Sequence, residues 1–302
     1  MLYVDKLEAL SNESEKATGN LFEKAKKNQS HPNDLLLVLI NGFFYDDLVD
    51  NHLKLSPYVI GQGEEGFADR TQYEFFHSFR TGAIAQSKDE LLVDKGKIDK
   101  EEFELSYRLT TQLELMVYLK FWESDFLLRQ FYNLVRLIHG ESFDWHKKMK
   151  DVGRKHLIEN EIILKAKNKA PNFFDYISKA YVRQIRNAAA HSQFFIHGDY
   201  INFTNSSKDA EQNHRLVSLH VDDWEDIFHR TILLYNFFIK FSTEYEKLFK
   251  TETIGKHFGK QIRITTKDDK EMIEWVKIHD DRWMWYVNWA KSEIKRFHIT
   301  II

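Results

Sequence analysis

The chain of 302 residues contains no cysteine, which removes disulfide frameworks, thiolate zinc sites, iron–sulfur clusters and cysteine nucleophiles together. Proline and glycine are scarce, three and twelve, so long uninterrupted elements are expected rather than the many turns of a sandwich or barrel. Long hydrophobic runs are missing too. The stretch Leu35–Ile40 falls far short of the roughly 20 apolar residues a membrane helix needs, and no membrane partner is expected. The opening MLYVDKLEALSNESEK has neither the basic start nor the apolar middle of a signal peptide, which makes a soluble, cytoplasmic protein the expectation. No Walker loop, no GxGxxG after a strand and no GxSxG elbow occurs, and His139, His146 and His156 lack the HExxH or HxH spacing of metal ligands. No metal and no cofactor is expected.

What the chain does have is apolar and charged residues in globular proportion, 43% and 29%, with 15% Phe, Tyr and Trp and a net charge of −3. The periodicity predicts a mainly α-helical protein. Polar helix Tyr3–Lys27 is followed by one opened by Pro32, a loop at Gly61, Gly63 and Gly66, and a helix through TQYEFFHSFR. The charged stretch around Gly96 reads as a surface hairpin or linker. The strongest signal runs from Glu101 to His139, too long for one helix without a break near Lys120, and Gly140 ends it. Two helices are expected over Gly153–Lys169 and Pro171–Ala190. The pattern then switches to a β-hairpin turning at His197–Asp199 and a third strand, HRLVSLHV. Asp222 or Asp223 is expected to cap a helix ending near Lys250. The last fifty residues read as a strand, QIRIT, and two amphipathic helices holding Trp275, Trp283, Trp285 and Trp289, tryptophans expected as core or interface anchors. This divides the chain into a helical region 1–98, a core 99–250 and an α/β extension 251–302.

One segment carries candidate chemistry: YVRQIRNAAAHSQFFI, with Arg186, Asn187 and His191 at the end of a helix. An Arg followed after four to six residues by His occurs three times, about what chance supplies with thirteen Arg and fourteen His. Arg215 and His220 sit in an expected strand, where an offset of five points them to opposite faces. Arg70 and His77 share a helical face and remain as an alternative half-site. Arg186 and His191 lie about 140° apart on a regular helix, a gap eased if the helix ends at His191 and the long Arg side chain swings round. Asn187 is four residues from His191 and on its face, and the Ala188–Ala190 run leaves room for close approach.

In these residues and their setting, an acidic-centred helix (FWESDFLLRQF), a motif helix, a small hairpin and a closing helix, the chain from Glu101 to Lys250 resembles the HEPN superfamily. The resemblance implies a HEPN-like helical bundle with a small β-hairpin insertion. It also implies a metal-independent endoribonuclease of a bacterial defence or toxin system, acting as a homodimer on RNA, with an antitoxin or defence-complex protein as a further partner. In that reading His191 transfers a proton, Arg186 holds the scissile phosphate and Asn187 positions one of them. Glu123 and Asp125 either pair with Arg186 or Arg183 inside the bundle or face solvent. From residue 146 to 186 Lys and Arg outnumber Asp and Glu by eleven to four. Lys165, Lys167, Lys169 and Lys179 therefore form either an RNA-backbone track or a solvated face. Two other functions stay open: a non-catalytic HEPN-like subunit that binds RNA or a protein partner, and a helical scaffold with an accidental motif.

Overall fold

The computed structural model describes residues 4–40, 100–145, 147, 153–206, 216–254, 259–265, 270–279 and 282–285. Among them the architecture is mainly helical, with two small antiparallel sheets. In chain order the elements are α1 (Val4–Asn28), α2 (Asp34–Leu39), α3 (Lys100–Glu123) and α4 (Asp125–Ile138). Next come α5 (Arg154–His156, continued as a π-helix over Leu157–Leu164), α6 (Pro171–Ala180), α7 (Arg183–Ala190), β1 (Phe194–His197), β2 (Tyr200–Phe203) and β3 (Ser218–His220). Helix α8 (Val221–Thr253) then leads to β4 (Lys260–Thr265), β5 (Glu271–His279) and β6 (Arg282–Trp285).

Aromatic side chains fill the core. Trp122, Trp224, Tyr118, Tyr176, Phe22, Phe121, Phe131 and Phe173 are all fully buried. Trp122 meets Tyr181 edge-on at 4.9 Å, and Tyr118 meets Trp224 at 5.4 Å, the tilted arrangement ring quadrupoles favour. Helix α1 packs on α4, α6 and α8, and its Leu21 and Phe22 belong to the same cluster as the residues from 115 onward. The boundary assigned at residue 98, like Arg70, His77, Arg215 and Trp289, lies outside the described residues.

The long helical signal breaks at Ser124, whose extended backbone ends α3 and whose Oγ accepts the Leu127 N–H as the cap of α4. Gly140 ends α4 at φ +75°, a left-handed turn glycine enters at no steric cost. Three expectations need correction. Residues Pro171–Ala190 are two helices, because Tyr181 and Val182 are extended. The fully buried Tyr118 hydroxyl takes the place of the missing helical bonds, accepting from Val182 N–H at 2.8 Å and donating to the Ala180 carbonyl at 3.2 Å. Burial raises that phenol well above its ordinary value, so it stays a donor.

Helix α8 is capped not by Asp222 or Asp223 but by His220, whose Nδ1 accepts the Asp222 N–H at 3.2 Å, while both aspartates lie in the first turn. Finally, Trp275, Trp283 and Trp285 lie on strands, not on amphipathic helices. The run Ile273, Trp275, Val276, Ile278 is rich in β-branched and aromatic residues and pairs with β4 on one side and β6 on the other. This second sheet docks on α2 through Arg263, which reaches Asp34 at 2.9 Å, and through Asn33, which donates to the Gln261 carbonyl at 2.7 Å.

Candidate active site

The break at Tyr181–Val182 frees α7 to run in its own direction, with Gln184 and Arg183 turned inward and the helix end exposed. Arg186 N–H still bonds to the Val182 carbonyl, and His191 N–H to Asn187, so His191 closes the last turn. Ser192 follows at φ +54°, and the Gln193 N–H reaches back to the Ala188 carbonyl at 2.9 Å. A 6→1 bond around a left-handed residue is a helix-ending motif usually built on glycine. It leaves the His191 side chain exposed at the corner between α7 and β1.

Arg186 reaches toward the end of α3. Its Nη1 donates to Asn187 Oδ1 at 2.9 Å, and its Nη2 pairs with Glu123 Oε1 at the end of α3. Glu123 is shared: Arg154, from the first turn of α5, reaches Glu123 Oε2 at 2.9 Å and Asp125 Oδ1 at 2.8 Å. Arg183 turns to the π-helix instead and meets Glu159 Oε2 at 3.5 Å. Two guanidiniums, of Arg186 and Arg154, thus share two carboxylates in a half-buried network in which α3, α4, α5 and α7 converge, and Arg183–Glu159 is a separate pair. The structure brings together Arg186, Asn187 and Glu123, pairs Arg183 with Glu159 instead, and sets His191 at the outer end of the same helix.

The four lysines do not form one free track. Lys165 pairs with Glu141, and Lys179 pairs with Glu13 at 3.3 Å. Lys167 lies over the Phe174 ring at 5.6 Å, and the exposed Lys169 lends its carbonyl to Lys24 at 2.6 Å. Arg154, Glu159, Tyr118 and Gln184 are the members of this region that the motif spacing does not point to. A Gly before Arg154 marks a helix start, but nothing in the spacing ties it to residue 123.

Among the described residues no group of three His, Asp or Glu could hold a metal ion, and no helix is long and apolar enough to cross a membrane. No family model, curated protein or solved structure matches the chain.

Proposed function

We propose that the protein is a metal-independent endoribonuclease of the HEPN type, as its motif helix resembles. What carries this reading is the coupling of Arg186 to Asn187 on a helix capped at its C-terminus by an exposed histidine. Asn187 and Glu123 each take one terminal nitrogen of the Arg186 guanidinium; Nε is buried, and the second hydrogens of Nη1 and Nη2 are the donors left for a phosphate oxygen. The His191 imidazole takes the proton of a ribose 2′-hydroxyl as its oxygen attacks the adjacent phosphorus. The P–O5′ bond breaks, leaving a 2′,3′-cyclic phosphate and, once the departing oxygen gains a proton, a 5′-hydroxyl. Arg186 offsets the negative charge that builds on the phosphoryl oxygens during the step. A second copy of the chain across a two-fold axis would supply the acid that protonates the departing oxygen, approaching at the exposed Ala190 and His191, since Ala188 is buried in this chain's own core.

One observation favours a second reading. With Asp125 included, the Arg186–Glu123–Arg154–Asp125 cluster is charge-balanced and suits a structural tie, which fits a non-catalytic HEPN-like module that binds RNA or a defence-complex protein. Incubating the full chain with total RNA and EDTA separates the two. Cleavage with cyclic-phosphate and 5′-hydroxyl ends that disappears in His191→Ala is expected for the nuclease. Equal cleavage by both proteins, or none by either, removes the enzymatic reading.

A further inference from the structure

The sheet that follows His191 has one face against the bundle and one face open. Alternation along the strands puts Phe194, Ile196, Ile201, Phe203 and Leu219 inward, with Ile201 and Phe203 buried. The same alternation puts Phe195, His197, Tyr200, Asn202, Ser218 and His220 on the outer face. Phe195 is 54% exposed and Tyr200 49%, values that leave most of one side of each ring to solvent. Exposed rings of this size on neighbouring strands are not needed for packing, because the inner face already supplies it. Phe195 sits opposite Asn202, so Tyr200 is its diagonal neighbour, at a Cβ spacing of about 7–8 Å. Tyr200 in turn is flanked by His197 and by His220, the latter edge-on at 5.1 Å.

Among the described residues the three strands place no carboxylate on this outer face, and the Asp222 carboxylate stands 3.4 Å from the His220 ring at its edge. The polar members of the face, two imidazoles, an amide and a hydroxyl, are those that pair with base edges or with anions. Asp199 and Asp222 lie beyond Tyr200 and His220, at the end far from His191. The charge gradient along the face therefore directs an anionic strand toward the Phe195 end, which is the His191 end. Only three residues lie between His191 and Phe195, which puts their Cα atoms at most about 13 Å apart.

The sheet is also fixed to the motif helix. Buried Gln184 of α7 exchanges two hydrogen bonds with the Leu216 backbone, at 2.6 and 2.9 Å, as a strand partner would. Asn205 donates to the Gln184 carbonyl at 3.0 Å, and Thr204 N–H to the Gln193 carbonyl at 3.0 Å. These bonds tie the sheet to the end of α7.

We propose that the outer face of the β1–β2–β3 sheet is a stacking surface for single-stranded RNA, with Phe195 and Tyr200 each receiving a base. The proposal rests on the nuclease reading for the destination of the strand. Stacking selects single strands over duplexes, because only unpaired bases expose their faces, and it tolerates sequence because every base has one.

The test uses the full chain with His191→Ala to prevent turnover and a single-stranded RNA carrying 2-aminopurine. Binding is read by anisotropy and stacking by quenching of the probe. Phe195→Ala and Tyr200→Ala are each expected to weaken binding about tenfold and to relieve quenching. Phe195→Leu keeps the bulk without the π-face and behaves as the alanine variant, whereas Phe195→Trp retains binding. Leu113→Ala and Met116→Ala, exposed apolar residues of α3, leave affinity unchanged. If the double variant Phe195→Ala/Tyr200→Ala binds and quenches like its parent while the wild type still cleaves RNA, the stacking face is overturned and the nuclease reading stands. If the parent neither binds nor, with His191 restored, cleaves RNA, both fall.

Discussion

Helix α3 carries two glutamates whose surroundings are opposite. Glu123, at its C-terminal end, is clasped by Arg186 and Arg154. Glu114, near the middle, accepts from a neutral donor, the Trp224 indole N–H at 2.8 Å. Burial pushes Glu114 up to about 7, the Trp224 bond opposes this in part, and Glu225 nearby adds to it. The same side chain on one helix is thus a permanent anchor for cations in one place and a proton acceptor near neutrality in the other. Charge partners, not residue type or helix position, decide which.

The comparison breaks most visibly at Glu123. Glu123→Ala leaves Arg154 and Arg186 facing each other in a half-buried site without the carboxylate they share. We expect a stability loss of about 2–4 kcal/mol in urea unfolding, because removing one member of a buried pair strands the others. Asp125 still holds Arg154, which keeps the loss below that of a fully isolated pair. RNA cleavage falls with it, since Arg186 loses the contact that fixes its guanidinium. Unchanged stability and activity would mean the network is slack.

These differences show which parts of the structure were legible in sequence. Helix periodicity located α1, α3, α4 and α8, and Gly198 with alternating apolar residues located the β1–β2 turn, since these signals are local. The break at Tyr181–Val182 was not legible, because a hydroxyl from residue 118 stabilises it across the fold. The β5 and β6 strands were missed for a related reason. Their apolar residues fit either period, and pairing with β4 decided it. At the candidate site the motif pointed to Arg186, Asn187 and His191. The partner of Arg186 was open between carboxylate pairing and solvent, and the shared role of Arg154 lies in tertiary contacts alone.

Glu114 sharpens the comparison through pH. Its folded value lies above its ordinary 4.5, so the folded state holds the proton longer than the unfolded state. The contribution is intact below about pH 4.5 and is lost as pH rises through about 7, so stability falls across that window. Glu114→Gln keeps an oxygen for the Trp224 N–H and has no charge to bury. We expect it to flatten this slope and to raise stability at pH 8 by on the order of 2 kcal/mol, measured as urea midpoints at pH 5 and pH 8. Parallel pH profiles for wild type and variant would refute this assignment.

The smallest effect expected is at the lysines, where the contrast between held and free charge recurs on the surface. Lys165 and Lys179 already have carboxylate partners, Glu141 and Glu13, whereas Lys167 and Lys169 are exposed, one over a ring and one contacted by Lys24 at its carbonyl. A cation that exchanges one anion for another releases few counterions, so its neutralisation alters RNA binding little. Lys167→Ala/Lys169→Ala is therefore expected to lower the slope of log affinity against log salt by at most about 1.4, the share of two phosphates on a single strand. Lys165→Ala/Lys179→Ala should change that slope by less than half as much, because each variant removes an internal pair together with a possible phosphate contact. Such exposed pairs contribute about 0–1 kcal/mol, so neither double variant should shift the unfolding midpoint appreciably. Equal slopes for the two double variants would show that pairing does not shield Lys165 and Lys179. Slopes unchanged in both would make this stretch a solvated face and leave RNA contact to the α7 end and the sheet beside it.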